Sequence, residues 1–112
     1  MKLKLATGAF ALALITSLSG GVSAQSNAPA ISSAWGDLDI SQEQCFGRAR
    51  QVMQSQNYTR IELVGNTTFG DKGDYQIGIR CVSEKRMYYV FGGGPDDKVL
   101  QGYINQIKGG GM

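Results

Sequence analysis

The chain contains no histidine, and only two cysteines, two prolines and one tryptophan among its 112 residues. The missing histidine removes the usual general base, the commonest metal ligand and the side chain that titrates near neutrality. Two cysteines cannot build a disulfide-dense knot or a four-cysteine zinc site. No uninterrupted apolar run reaches the ~20 residues that a membrane-spanning helix needs. What is present is a balanced composition, 42% apolar and 18% charged. That balance suits one folded domain and excludes a disordered chain.

The first 24 residues read as a secretory signal. Lys2 and Lys4 begin it, an apolar run from Leu5 to Leu18 is broken by Thr7, Gly8, Thr16 and Ser17, and Val22-Ser23-Ala24 offers a small-residue cleavage site. No cysteine stands beside that site, so a lipoprotein modification is not expected. The whole chain carries 11 Lys and Arg against 9 Asp and Glu. Loss of Lys2 and Lys4 on cleavage would leave 9 against 9 and a net charge of zero. No basic stretch is left for nucleic acid or an anionic membrane surface. A periplasmic or extracellular location follows from this reading, with no membrane span after cleavage. Residues 25–38, rich in Ser, Ala and Asn with Pro29, read as a flexible leader. Trp35 within it either folds back over a domain edge or serves as a partner-binding aromatic.

Residues 39–108 carry the folding signals, and the glycine-rich 109–112 reads as a loose tail. Ser41 is a good helix N-cap and Gln44, three residues on, completes a capping box. Ile40 before the cap can staple onto Cys45. Cys45, Ala49, Val52 and Met53 then repeat on one helical face. Thr59–Val64 alternates as a strand, with Ile61 and Leu63 on one side and Arg60 and Glu62 on the other. Gly65–Asp74 reads as a polar connection. Tyr75–Val82 alternates again and Ser83-Glu84-Lys85 reads as a three-residue turn into a strand over Arg86–Phe91. That register sets Met87, Tyr89 and Phe91 on the core face and Tyr88 and Val90 outside; a slip of one residue swaps the two sets. Gly92-Gly93-Gly94 ends the strand, Pro95 suits a first helical position, and Val99, Leu100, Tyr103, Ile104 and Ile107 form an apolar stripe. The expected fold is therefore a two-layer α+β domain, helix, three-stranded antiparallel sheet, helix (αβββα).

Two cysteines in an exported chain predict a Cys45–Cys81 disulfide. Closing that loop of about 37 residues is worth about 3–4 kcal/mol in the chain-entropy treatment. A plain hairpin between the first two strands would set the cysteines at opposite ends, beyond the ~7 Å reach between Cα atoms. Either the first helix crosses the sheet obliquely or residues 65–74 are not a simple hairpin connection.

Catalytic and ligand motifs are incomplete. Phe91-Gly92-Gly93-Gly94-Pro95 lacks the Lys and Ser/Thr of a phosphate loop, and Asp96 and Asp97 would repel an anion. Gly70-Asp71-Lys72-Gly73-Asp74 lacks the ligand ladder of a calcium loop. No nucleophile is paired with a base, and nothing brings Glu62 and Glu84 together. Asn57-Tyr58-Thr59 and Asn66-Thr67-Thr68 match glycosylation sequons, which matter only in a eukaryotic source. No catalytic residue, cofactor or metal is expected. The candidate interaction surface is the open sheet face, with Arg60, Glu62, Gln76, Arg80, Tyr88 and Val90 displayed around a shallow gap at Gly78. An ordinary solvated sheet face is the bland alternative. A small-ligand or metal-ion carrier using the loops at 65–74 and 92–97 is the other function class. Tyr88-Tyr89-Val90-Phe91 is an uncharged stretch suited to edge pairing, so a homodimer is a further expectation.

Cys45-x-x-x-Ala49, Gln56-Asn57-Tyr58, Tyr75-x-Ile77-x-Ile79-x-Cys81 and Val90-Phe91-Gly92-Gly93 together resemble small exported bacterial proteins of uncharacterised function, over residues 41–107. The resemblance implies export and a helix–sheet fold and brings no catalytic residue with it. A protein or envelope component is the partner class expected on this reading.

Overall fold

A computed structural model of the protein describes residues 28–112, so the proposed export signal lies outside the described residues. The elements run β1 (Ala30–Asp37), α1 (Gln42–Ser55), β2 (Thr59–Val64), β3 (Thr67–Lys72), β4 (Tyr75–Val82), a 3-10 turn (Ser83–Lys85), β5 (Met87–Gly94) and α2 (Asp97–Gly109). The strands form one antiparallel sheet in the order β1-β5-β4-β3-β2. The three-stranded sheet expected from the sequence is thus corrected to five strands.

Both additional strands come from stretches whose apolar signal is weak. β1 lies in the segment read as a flexible leader and pairs with β5 from Ala30↔Gly94 to Asp37↔Met87. Its inward positions are Ala30, Ser32, Ala34 and Gly36, small residues that let α2 and the Tyr88 ring approach closely. β3 lies in the expected polar connection. Gly65 and Gly73 have φ of 63° and 61°, and each is the first residue of a two-residue loop, between Val64↔Thr67 and between Lys72↔Tyr75. Glycine in that place is the requirement of a type II′ hairpin turn.

Both helices cover the same sheet face. α1 packs on β2, β3 and β4, and α2 packs on β1 and β5. Cys45, Ala49, Val52 and Met53 of α1 are buried as the periodicity predicts, together with Leu100, Ile104 and Ile107 of α2. They meet Ile77, Ile79, Cys81, Tyr88 and Val90 from the sheet. The capping box at the start of α1 forms, with Gln44 N–H donating to Ser41 Oγ and Ser41 N–H donating to Gln44 Oε1. Asp96 caps α2 by accepting from Val99 N–H, so Pro95 precedes the cap instead of opening the helix. The tail also has contacts: Gly110 N–H donates to Ile107 O, and Met112 packs against the core.

Cys45 and Cys81 form the disulfide, with Cα atoms 6.1 Å apart and no solvent exposure at either residue. The topology explains how. Insertion of β3 makes β4 run parallel to β2, which carries Cys81 back to the end of the sheet where α1 begins. Of the two sequence alternatives, the connection that is not a simple hairpin is the one found. Gln42 tightens the same junction, donating from Nε2 to Cys81 O and accepting at Oε1 from Ser83 N–H.

The β4–β5 register differs by one residue from the expected one. Val82 pairs with Met87 and Cys81 with Tyr88, leaving four loop residues, Ser83 to Arg86. Arg86 belongs to the turn: its φ of 56° and ψ of 42° are left-handed, and its N–H donates to Ser83 O. The extra residue exchanges the faces. Tyr88 and Val90 enter the core at 3% and 0% exposure, and Met87, Tyr89 and Phe91 move to the other side.

Candidate functional site: the open face of the sheet

Antiparallel partners share a face, so the register lays out the uncovered side row by row. One row reads Trp35, Tyr89, Arg80, Thr67, Val64 across the five strands. The next reads Ser33, Phe91, Gly78, Phe69, Glu62, and the third Ile31, Gly93, Gln76, Asp71, Thr59. Of six large apolar side chains that remain exposed among the described residues, four stand here: Ile31 at 81%, Trp35 at 56%, Val64 at 53% and Tyr89 at 39%. That concentration on one face separates it from an ordinary surface with scattered apolar residues.

The centre is aromatic. A Cβ at Gly78 would sit 2.7 Å from Phe91 Cζ, so the Phe91 ring lies over the glycine and fills the gap expected there. Phe69 meets Phe91 edge to face, with ring centroids 6.0 Å apart. Beside this pair a groove of about 630 Å³ crosses the glycine-rich end of the sheet. Ile31 and Phe91 line it from one side, Arg60 and Asp71 from the other, and Gly93 and Gln76 lie between.

A bulge aims Arg60 into this region. Between Thr59↔Asp71 and Glu62↔Phe69, two β2 residues stand opposite the single Gly70. Arg60 takes a φ of 51°, a conformation that costs a non-glycine residue about 1–3 kcal/mol. Its guanidinium donates from Nε to Asp71 Oδ2 at 2.7 Å, and Gln76 Nε2 donates to Asp71 Oδ1 at 3.4 Å. Asp71 is mostly covered and Arg60 mostly exposed, so one edge of the groove presents an arginine held by a fixed carboxylate.

Four of the residues expected on this surface are exposed there: Arg60, Glu62, Gln76 and Arg80. Tyr88 and Val90 are not; they lie in the core on the opposite face, and burial raises the Tyr88 hydroxyl pKa, with the nearby Asp37 adding to the effect. The expected edge pairing through Tyr88–Phe91 is likewise corrected, because β5 is flanked by β1 and β4 and has no free edge. Sequence reasoning missed Ile31, Tyr89, Phe91 and Phe69 on this face. The alternation Ile31, Ser33, Trp35 was the available signal for β1.

Beneath the sheet, Lys72 Nζ lies 5.0 Å from the Tyr58 ring centroid and 4.9 Å from that of Tyr103, and donates to Gln56 O. Burial, with Tyr103 beside it, pushes the Tyr58 hydroxyl up to about 12. Its oxygen has no hydrogen-bond partner among the described residues. Among the described residues no three His, Cys, Asp or Glu side chains come together, and no helix is long and apolar enough to cross a membrane. No protein-family model matches the chain, and no curated protein sequence matches it.

Proposed function

We propose that this chain is an exported, non-catalytic interaction module that docks a protein or envelope component on its open sheet face. The observation that carries the reading is the clustering of Ile31, Trp35, Val64 and Tyr89 on the face that neither α1 nor α2 covers. Aromatic and arginine side chains dominate protein-binding hot spots, and Trp35, Tyr89, Arg80 and Arg60 supply that combination here. The buried disulfide supports residence in an oxidising compartment, as does the signal-like sequence of Met1–Ala24.

The test is comparative capture from an envelope extract. A Trp35→Ser/Tyr89→Ser variant should lose a partner that the unaltered chain retains. Val99→Ser, an exposed apolar site on α2, should keep it. Equal capture by all three proteins would remove the open face from consideration.

One observation favours a second reading, a small-ligand or ion carrier. The groove is bordered by Gly73, Asp74 and Gly92 to Gly94, which belong to the two loop regions first considered for that role. Thermal-shift screening with calcium, nucleotides and sugars tests it, and a flat response throughout would dismiss it.

A further inference from the structure

We propose that two copies of the chain associate through β1, edge to edge and antiparallel, to make one continuous ten-stranded sheet. The two ends of the sheet are treated differently by the sequence. β2, at one end, is interrupted by a bulge and carries Arg60 and Glu62, features that discourage strand addition. β1, at the other, pairs with β5 over eight consecutive residues without a bulge. It contains no lysine, arginine or proline, and its one charge, Asp37, is the last residue. Among the described residues no strand lies beyond it. Its outward N–H and C=O groups therefore form a regular ladder with no strand partner among the described residues.

The occupant follows from self-complementarity. A two-fold axis normal to the sheet keeps each face on its own side, so it must pair residues of like parity. Centred on Ser33, the register sets Ser33 opposite itself and Trp35 opposite Ile31 of the second copy, twice. Ile31 and Trp35 are the two most exposed large apolar side chains among the described residues. On the helix side Ser32 would face Ala34 and Gly36 would face Ala30, all small. Asp37 falls opposite Pro29, just outside the strand, so no like charges meet. Centring on Ala34 instead would set Ile31 against Asp37 and Trp35 against Ser33, leaving both apolar groups unmatched. Gln101 and Asn105, which line the helix side beside Ser32 and Ala34, are uncharged and oppose no approach.

The assembly joins two open faces across a seam of Trp35 and Ile31. Light scattering over a concentration series, on the chain purified from an oxidising compartment, should report twice the chain mass. Ile31→Lys/Trp35→Lys should be monomeric with an unchanged circular dichroism spectrum, since both sites are exposed. A register-specific check does not depend on that variant. Directly opposed residues in an antiparallel pair have Cα atoms about 4.5–5.5 Å apart, within disulfide reach. Ser33→Cys should then cross-link two chains on mild oxidation, whereas Ser32→Cys, facing Ala34, should not. A wild-type monomer at every concentration, a dimer indifferent to the double lysine variant, or equal cross-linking at both positions would overturn the proposal.

Discussion

Replacing both cysteines by alanine asks how much of the fold rests on the bond between α1 and β4. The cysteines are 36 residues apart, and closing a loop of that size removes about 3.8 kcal/mol of unfolded-chain entropy at 25 °C. Both residues are fully buried, so the alanines also delete two packed sulfurs and the loss should not fall below that figure. A domain of this kind has about 5–15 kcal/mol in total. The Cys45→Ala/Cys81→Ala chain should therefore melt about 15–30 °C lower than the disulfide form. In urea, with a slope of about 1 kcal/mol/M, its midpoint should fall by about 4 M or the chain should be unfolded at the outset. Circular dichroism during thermal and urea titration reads both. A loss below about 1 kcal/mol would refute the reasoning, because it would mean that Gln42 and the helix packing hold the junction without the bond.

Three further outcomes follow from the same packing. Tyr58→Phe removes a buried hydroxyl that has no partner among the described residues and should leave the melting temperature unchanged or higher; in the unaltered protein Tyr58 stays neutral in the fold while unfolded tyrosine ionises near pH 10, so its contribution is complete below pH 10 and declines as pH rises toward about 12, which ultraviolet titration and alkaline melts can follow. Gly92→Ala places a methyl 2.6 Å from Gln76 O and should cost about 1–3 kcal/mol, whereas Gly93→Ala, whose nearest neighbour is 3.4 Å away on the open face, should fold normally and narrow the groove; denaturant midpoints separate the two. Arg86→Gly relieves a left-handed residue at the expense of an exposed ion pair with Asp39 and should stabilise by up to about 1 kcal/mol, while Arg86→Ile should destabilise, as differential scanning calorimetry would show.

The parts of the fold legible in the sequence are those where side-chain pattern and packing agree. Ser41 with Gln44, and Cys45, Ala49, Val52 and Met53, mark α1 because a cap and a 3.6-residue repeat are local properties. Ile77, Ile79 and Cys81 mark β4 because that strand is buried on one face. β1 escapes because α2 lies close beneath it and requires Ala, Ser and Gly where a strand usually shows Val or Ile. β3 escapes because Thr68, Gly70 and Lys72 face inward, with Gly70 making room for Met53 and Tyr58 and Lys72 lying beside tyrosine rings. Two glycine-led loops, Gly65-Asn66 and Gly73-Asp74, were the usable signal for that strand. The candidate site suffered most from one backbone angle. Arg86 in the turn moves β5 by a single residue, and that exchanges Tyr88 and Val90 for Tyr89 and Phe91 on the open face. Nothing in the side chains of Ser83 to Arg86 announces a left-handed arginine.

Tyr88 and Tyr89 are adjacent in sequence and opposite in environment, so chemical footprinting of tyrosine, mapped by peptide mass spectrometry, tests the assignment of the open face most directly. Nitration of the native protein should modify Tyr89 and spare Tyr88, which is 3% exposed. Modification of Tyr88 with protection of Tyr89 would reverse the register of β5 and take the proposed docking surface with it.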